Sequence, residues 1–202
     1  MADRWPTCSI GGMAADRWER DPRLLGMMLA RYKFAAKMLQ GYENVLEVGC
    51  NDGFGSRVVR QHVKSLVAVD IDEQAIEGAM RNTSAWPVTF FVHDMRESPL
   101  YGFDGAYCLD VLEHVKPSDE SAFLINMRAS APVVVIGMPT LESQAYASPG
   151  SRAGHVNCQT VEQLRATVGK YWSRVFLFGM NDETLHVGFE PMTHYVFALG
   201  VG

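Results

Sequence analysis

Short apolar runs alternate with amphipathic stretches along most of this sequence. Runs of this length are typical of strands buried on both faces of a parallel sheet, and the stretches between them have helical spacing. Strands that alternate with helices indicate an α/β fold. The pattern predicts strands at 45–48, 65–70, 88–92, 103–110, 133–137, 171–178 and 192–199, with helices at 23–39, 57–63, 73–82 and 117–129 and one more after residue 160.

The first predicted strand runs directly into a glycine-rich turn. Gly49, Gly53 and Gly55 separate this strand from the next predicted helix. Glycine lets the backbone approach a ligand closely, and the first turn of a helix offers unpaired N–H groups. The Gly-x-Gly-x-x-Gly frame of dinucleotide-binding proteins is absent, because Asn51 and Val58 interrupt it.

Acidic residues stand at the ends of the next predicted strands. Asp70 ends the second strand, 21 residues after Gly49, and a carboxylate there can accept hydrogen bonds from both ribose hydroxyls of an adenosine. Asp94 follows the third strand, and Asp110 ends the fourth. Strand ends of an open α/β sheet face the ligand crevice. These residues therefore predict a nucleoside site, without separating NAD from S-adenosylmethionine.

The same residues resemble the motifs of class I S-adenosylmethionine-dependent methyltransferases. Glu47-x-Gly49-x-x-x-Gly53 resembles the first motif, with Asn51 where the family usually has glycine; among other residues, asparagine tolerates positive φ best. Asp70-Ile-Asp resembles the second motif. Asp110-Val-Leu-Glu-His-Val is similar to the corresponding segment of small-molecule members, including the ubiquinone-biosynthesis O-methyltransferases.

This resemblance spans roughly residues 42–200 and implies S-adenosylmethionine as the cofactor. It implies a Rossmann-like three-layer sandwich whose seven-stranded, mostly parallel sheet has the order 3-2-1-4-5-7-6, with strand 7 antiparallel. We expect a single domain over 1–202, with the catalytic core at 42–202. The residues expected to contact the cofactor are Glu47, Gly49, Asn51, Gly53, Asp70, Ile71, Asp94, Met95 and Asp110.

Three segments lack a clear period, namely 1–21, 138–159 and 179–191. Long loops in compact domains are often functional. Segment 138–159 follows a strand on the cofactor side, so we expect it to shape the acceptor pocket. Segment 1–41, which includes the first predicted helix, could fold over the site as a lid. Thr160 is expected to cap the next helix, with Gln163 completing a capping box.

The chemistry of methyl transfer directs attention to histidines. Displacement at a sulfonium needs mainly alignment and electrostatics from the protein. A hydroxyl acceptor usually needs a base as well, and histidine titrates near neutral pH. His114 and His155 are the candidate catalytic residues, and the open polar loops favour a small polar acceptor such as a sugar, a saccharide precursor or a natural-product intermediate. The residues expected to contact this acceptor are Tyr32, Glu113, Tyr146 and Asn157.

Alternatives stay open at this point. Asp110, Glu113 and His114 share one strand end, and oxygen ligands with an imidazole can hold a divalent metal, but such residues are commonly only solvated, so a metal is not favoured. A nicotinamide-dependent oxidoreductase could use the same fold, although the missing glycine frame counts against it. A non-catalytic partner subunit that binds the cofactor is the third possibility.

Composition limits the partners and the compartment. Hydrophobic residues make up 48% and charged residues 20%, and the net charge is −5 from 18 basic and 23 acidic residues. No basic cluster is present, so nucleic acid is not an expected partner. The four cysteines form no Cys-x-x-Cys pair, which favours a reducing cytoplasm. Neither a leader peptide nor a membrane span is expected. The expected partner is a small-molecule acceptor, and a homodimer is left open.

Overall fold

The structure, a computed structural model, describes residues 10–82 and 85–202. Within them, one mixed sheet of eight strands has helices on both faces. The strands are β1 (Asn44–Val48), β2 (Ser65–Asp70), β3 (Thr89–Val92), β4 (Gly105–Leu109), β5 (Val133–Pro139), β6 (Arg174–Asn181), β7 (Thr184–His186) and β8 (Tyr195–Val201). The helices are α1 (Gly12–Arg20), α2 (Pro22–Met38), α3 (Ser56–Arg60), α4 (Glu73–Arg81), α5 (Glu120–Ser130), α6 (Pro149–Gly154) and α7 (Val161–Gly169), with 3₁₀ helices at Leu112–His114, Glu142–Tyr146 and Glu190–Met192.

The strand order across the sheet is β3-β2-β1-β4-β5-β8-β6-β7. The pairs formed among β1 to β5 are parallel, whereas β8 runs antiparallel to both β5 and β6. The predicted order 3-2-1-4-5-7-6 is confirmed for seven of the strands, since β8 takes the place of the predicted antiparallel strand 7. The predicted number of strands was wrong, because β7 adds an eighth at the edge.

The additional strand β7 lies in the segment that was predicted to be a polar loop. It pairs antiparallel with the end of β6, from Gly179 opposite His186 to Asn181 opposite Thr184. Asp182 has φ 52° in the two-residue turn between the strands, the left-handed conformation that tight hairpins need. Only three residues form β7, and they contain no apolar run, so hydrophobic periodicity could not reveal the strand.

Helices cover both faces of the sheet, which explains the continuous apolar runs of its strands. In β2, Leu66 packs with residues of α2 and α3, and Ala68 packs with Ile76 of α4. Val69 points to the opposite face, into the core formed with α5 and α7. The three-layer sandwich expected from the sequence is therefore confirmed.

The N-terminal segment is more regular than expected. Residues 1–21 were predicted to be irregular, but α1 spans Gly12–Arg20, while residues 1–9, with Cys8, lie outside the described part of the chain. The start of α1 is held by the glycine-rich turn, because the Met13 N–H donates to the Asp52 carboxylate at 2.9 Å. The lid role of segment 1–41 and the single-domain boundaries stay predictions.

Segment 138–159 was expected to be irregular and is also more ordered than that. β5 continues to Pro139, and a 3₁₀ helix at Glu142–Tyr146 and α6 follow. Ser148 caps α6, since its hydroxyl accepts a hydrogen bond from the Ser151 N–H. The predicted capping box of α7 is confirmed by both of its hydrogen bonds, between Thr160 and Gln163. Weak hydrophobic periodicity in these two short elements hid them.

We expect Asp52→Ala to lower the free energy of unfolding by about 1 kcal/mol, because the α1 N–H at Met13 and the Phe54 N–H both donate to this buried carboxylate. Urea unfolding measures the loss, and amide hydrogen exchange should become faster in α1. Asp16→Ala is the control, since Asp16 only pairs with Arg20 on the surface of α1, a contact worth about 0.3–0.5 kcal/mol. Equal losses in the two variants would contradict the tertiary role of Asp52.

Candidate active site

A cavity of about 880 Å³ lies along the carboxyl ends of the parallel strands. Its volume falls in the upper part of the range of about 300–1,000 Å³ that small-molecule sites occupy. Residues from α1, α2, α5, the segment after β5, the β6–β7 hairpin and the start of β8 form the rest of its wall. The predicted site residues that line it are Gly49, Asn51, Asp70, Ile71, Asp94, Met95, Asp110, Tyr32, Glu113, His114, Tyr146 and His155.

The glycine-rich turn brings the backbone of the chain to the cavity wall. Gly49 has φ 81°, and a Cβ atom there would lie 2.2 Å from Val111 Cγ2. Asn51 has φ 48°, so asparagine occupies a conformation that usually favours glycine. Gly53 is not part of the cavity wall; a Cβ atom on it would lie 2.6 Å from the Phe90 ring. Gly53 therefore allows close packing beneath the turn, and its predicted cofactor contact is not supported by this geometry.

Asp70 is fixed by two backbone groups at the end of β2. Its Oδ2 atom accepts a hydrogen bond from the Asn51 N–H at 2.8 Å, and its Oδ1 atom accepts one from the Asp72 N–H at 3.0 Å. Each carboxylate oxygen has a second lone pair available. The next residue, Ile71, is 61% exposed and borders the cavity. This combination of a fixed acceptor and an apolar surface suits a ribose and its attached base.

At the end of β3, the carboxylate of Asp94 has a partner that was not expected. The Asp94 carboxylate forms an ion pair with Arg96 at 2.6 Å, and this hydrogen-bonded guanidinium lowers the pKa of Asp94. Arg96 was not predicted from the sequence. Met95 borders the cavity but is only 2% exposed and belongs mainly to the core under α5. Of the two apolar residues expected near the cofactor, Ile71 therefore presents more surface to a ligand.

Glu47 lies below the glycine-rich turn and not in the cavity wall. Burial raises the pKa of its carboxyl to about 7, against the opposing effect of the hydroxyls of Ser56, Tyr107 and Tyr32. These hydroxyls face the carboxyl, although neither of its oxygens makes a hydrogen bond of regular geometry. Tyr32 is buried, with its hydroxyl near Glu47. Its expected contact with the acceptor stays a prediction, and the direct cofactor contact expected of Glu47 is not supported by this placement.

Arg31 was not singled out as a site residue, yet it holds the end of β4. Its Nη1 atom donates to both Asp110 oxygens, at 2.9 and 3.0 Å, and its guanidinium carbon lies 3.9 Å from the centre of the Tyr195 ring. Asp110 has φ 57°. The ion pair thus fixes a left-handed turn at the point where the chain leaves the sheet. In the sequence, the only signal was the position of Arg31 beside Tyr32 in the predicted helix 23–39, where packing and solvation were the default expectation.

Glu113, His114 and His155 meet at one end of the cavity, and we call them the Glu-His-His cluster. The rings of the two histidines have centroids 5.0 Å apart. His114 Nδ1 lies 2.9 Å from the Gly154 carbonyl oxygen, and His155 Nδ1 lies 2.8 Å from Gln144 Oε1. Since both partners are acceptors, each Nδ1 carries the proton and each Nε2 keeps a free lone pair. The sequence predicted all three residues as site residues, but it did not predict the contact between His155 and Gln144.

The charges of this cluster are strongly affected by burial. Glu113 is fully buried, and neither of its oxygens makes a hydrogen bond of regular geometry. Burial, followed by the charge of Asp110, raises the pKa of Glu113 well above its usual value. Burial and the neighbouring His114 lower the pKa of His155, which favours a neutral imidazole.

Asn157 was expected to contact the acceptor, but the structure places it elsewhere. Its Nδ2 atom donates to the Glu120 carboxylate at 2.8 Å, and its backbone N–H donates to the Glu113 carbonyl oxygen at 2.9 Å. It is not among the residues that line the cavity. Asn157 therefore braces the turn behind the cluster, and a substrate role for it is not supported.

The comparisons with known proteins agree with this geometry. Residues 45–131 match the model of a family described as a methyltransferase domain. A search of curated proteins finds no match. Among solved structures, magnesium protoporphyrin IX methyltransferase (ChlM) from Synechocystis PCC 6803, with bound SAH, is 16% identical, with a TM-score of 0.66 over 95% of this chain and 96% of that chain.

Two more solved structures have the same fold. The N-methyltransferase NodS from Bradyrhizobium japonicum WM9 is 20% identical, with a TM-score of 0.63 over 90% of this chain and 97% of that chain. The methyltransferase domain of bacterial CtHen1-C is 15% identical, with a TM-score of 0.71 over 87% of this chain and 99% of that chain. At these identities the likeness concerns the fold.

We expect Glu47→Gln to remove part of the pH dependence of stability. Because the carboxyl of folded Glu47 has a pKa of about 7 instead of its ordinary value of 4.5, the folded state favours the protonated form. The contribution of protonated Glu47 to the free energy of unfolding is fully present below pH 4.5 and is lost as the pH rises through 7. Between pH 5 and pH 8 this loss is about 2–3 kcal/mol.

Urea unfolding at pH 5 and pH 8 tests this expectation. Glutamine does not titrate, so the variant should lose less stability than the natural protein over this interval. Glu43→Gln is the matched control, because Glu43 is exposed and pairs with Lys64 on the surface. An unchanged difference between the two pH values in Glu47→Gln would contradict the burial argument.

Proposed function

We propose that this chain, a class I S-adenosylmethionine-dependent methyltransferase, methylates a hydroxyl group of a small polar acceptor. The observation that carries the proposal is the Glu-His-His cluster, which supplies two imidazole nitrogens with free lone pairs at one end of the cavity. The cofactor follows from the family and the fold. The acceptor class, the hydroxyl and the assignment of the histidines are the proposed part.

The crevice fits the cofactor on the evidence of its own residues. The Asp70 carboxylate would hold the ribose hydroxyls, since two backbone N–H groups already orient it. Ile71 and Met95 would contact the adenine, and Asp94 would accept from its amino group. The glycine-rich turn allows close approach, and Asp110 would lie near the methionine part. When bound, the cofactor supplies an electrophilic methyl group on a sulfonium sulfur.

The other end of the cavity supports a polar acceptor of modest size. Tyr146 is 86% exposed and stands at the rim. Polar side chains from the segment after β5 line the cavity, as do methionines from α1 and α2. These residues are Ser143, Gln144, Ser148 and Ser151, with Met13 and Met27. Hydroxyl and amide groups can orient a polyol or a sugar, while the helices exclude water from the reacting groups.

The histidines explain how the acceptor loses its proton. A hydroxyl becomes a strong nucleophile only as its proton leaves, and a neutral imidazole within reach can assist this step. The Nδ1–H groups of His114 and His155 are held by the Gly154 carbonyl and by Gln144, so the Nε2 atoms face away from these partners. General acid–base assistance of this kind contributes about 10²–10⁴ in rate.

The remaining alternatives have less support. A nicotinamide-dependent oxidoreductase is set aside, because the methyltransferase family model matches and the dinucleotide glycine frame is missing. A non-catalytic partner subunit would bind the cofactor but turn over no acceptor. The homodimer stays a prediction.

The compartment is also part of the proposal. The thiols of Cys50, Cys108 and Cys158 are free, which supports the expected reducing cytoplasm. In the described ranges, no helix combines the length and the apolar character that crossing a bilayer requires.

We expect Asp70→Asn to weaken the binding of S-adenosylmethionine about tenfold or more, because a hydrogen bond to a charged acceptor contributes about 1.5–3 kcal/mol. Isothermal titration calorimetry with S-adenosylmethionine and its demethylated product measures the change. Glu73→Gln, which changes an acidic residue in the first turn of α4, should keep the natural affinity. Absence of heat with the natural, folded protein would overturn the cofactor site.

We expect His114→Ala and His155→Ala to lower methyl transfer about 10²–10⁴-fold while the affinity for S-adenosylmethionine stays the same. Transfer of a labelled methyl group to a panel of sugars, polyols, catechols, amines and RNA identifies the acceptor class. His62→Ala, which removes a histidine outside the cavity wall, is the control. Transfer only to amines or to RNA would contradict the proposed acceptor, and transfer to none would favour the partner-subunit alternative.

A further inference from the structure

We propose that Glu113, His114 and His155 bind one divalent transition-metal ion, and that this ion holds the acceptor hydroxyl. The first half of the proposal depends only on the residues present. The second half rests on the proposed function, because it takes the acceptor group to be a hydroxyl.

The first support is the distance between the candidate ligand atoms. One carboxylate oxygen of Glu113 and one ring nitrogen of each histidine all lie within 4.8 Å of one another. Ligands at about 2.1 Å from a metal stand about 3–3.5 Å apart. Small rotations of the side chains are therefore enough to bring the three atoms into one coordination sphere.

The second support is independent and concerns charge. Glu113 is fully buried, and neither of its carboxylate oxygens makes a hydrogen bond of regular geometry, although its own backbone N–H lies close enough to favour the charged form slightly. A buried ionised carboxylate without a partner costs several kcal/mol. Arg31, whose charge also acts on Glu113, donates its hydrogen bonds to Asp110. A bound cation would supply the missing positive partner of Glu113 at the cavity wall.

The third support is the orientation of the imidazoles. Metal-binding histidines usually donate their second ring N–H to a carbonyl or carboxylate oxygen, which fixes the ring and its tautomer. His114 does this through Gly154, and His155 does it through Gln144. Both rings are thus already held through Nδ1, and each Nε2 atom is left to bind a metal ion.

The set of ligands differs from the one suggested by the sequence. There, Asp110, Glu113 and His114 were the candidates. In the structure, Asp110 forms an ion pair with Arg31, and His155 is the third candidate ligand instead of Asp110. Two imidazoles and one carboxylate suit first-row divalent ions such as Mn²⁺, Co²⁺ and Zn²⁺ better than Ca²⁺ or Mg²⁺, which prefer oxygen ligands. Three protein ligands leave open positions for acceptor oxygens.

This arrangement changes how the hydroxyl is activated. A hydroxyl bound to a divalent ion has a lowered pKa and releases its proton to solvent at the cavity mouth. Its oxygen then forms the bond to the methyl carbon, and the electron pair of the broken carbon–sulfur bond stays on sulfur. The metal keeps its oxidation state throughout. With the ion bound, the imidazoles act as its ligands, and solvent takes over the role of base that the histidines fill when no metal is bound.

Titration of the full chain with Mn²⁺, followed by electron paramagnetic resonance, tests the site without any acceptor. We expect saturation at one ion per chain. Glu113→Gln, His114→Ala and His155→Ala should each weaken binding at least 100-fold, and His62→Ala should leave it unchanged. Co²⁺ should give an absorption spectrum that is altered in each histidine variant. Gln144→Ala keeps all three ligands and should weaken binding about 10–100-fold through the orientation of His155.

The outcomes separate the two halves of the proposal from the proposed function. Absence of stoichiometric Mn²⁺ binding, or binding that the three ligand variants leave unchanged, would overturn the metal site. If the ion binds but a chelator does not lower methyl transfer to a hydroxyl, the role of the ion in activation is wrong. If the ion binds and methyl groups go only to amines, the proposed acceptor fails while the metal site stands.

Discussion

The ion pair between Arg31 and Asp110 determines how the chain is arranged at the end of the sheet that carries the Glu-His-His cluster. It joins α2 to the end of β4, where Asp110 adopts a left-handed backbone conformation. A partly buried carboxylate in such a turn needs a fixed positive partner. With Asp110 held, the chain turns at once into the 3₁₀ helix Leu112–His114. That turn directs Glu113 into the interior and His114 toward His155.

The acidic residues along this edge of the sheet have different partners, which gives each a separate task. Asp70 is held by two backbone N–H groups, Asp94 by Arg96 and Asp110 by Arg31. These three carboxylates are therefore fixed in position by their donors. The Glu113 carboxylate has no hydrogen bond of regular geometry to another described residue. Three of the four carboxylates along this edge are thus held by donors, and the fourth is buried beside two imidazoles.

The sequence predicted the sheet well because buried parallel strands leave continuous apolar runs, and because each strand end carries a polar residue such as Asp70 or Asp110. It failed where elements are short or polar. The strand β7 has only three residues, and the short helix α1 is amphipathic but contains few apolar residues. A tertiary hydrogen bond from the Met13 N–H to Asp52 also holds α1. The cluster residues were identified by type, but the partners of Arg31 and His155 depend on distant parts of the chain.

The attachment of α1 to the glycine-rich turn couples two parts of the cavity wall. Met13 lines the cavity, and its N–H donates to the carboxylate of Asp52, which lies within the turn. The Phe54 N–H donates to the same carboxylate, so one side chain holds both the start of α1 and the turn itself. A displacement of α1 away from the cavity would therefore break a hydrogen bond of the side chain that braces the glycine-rich turn.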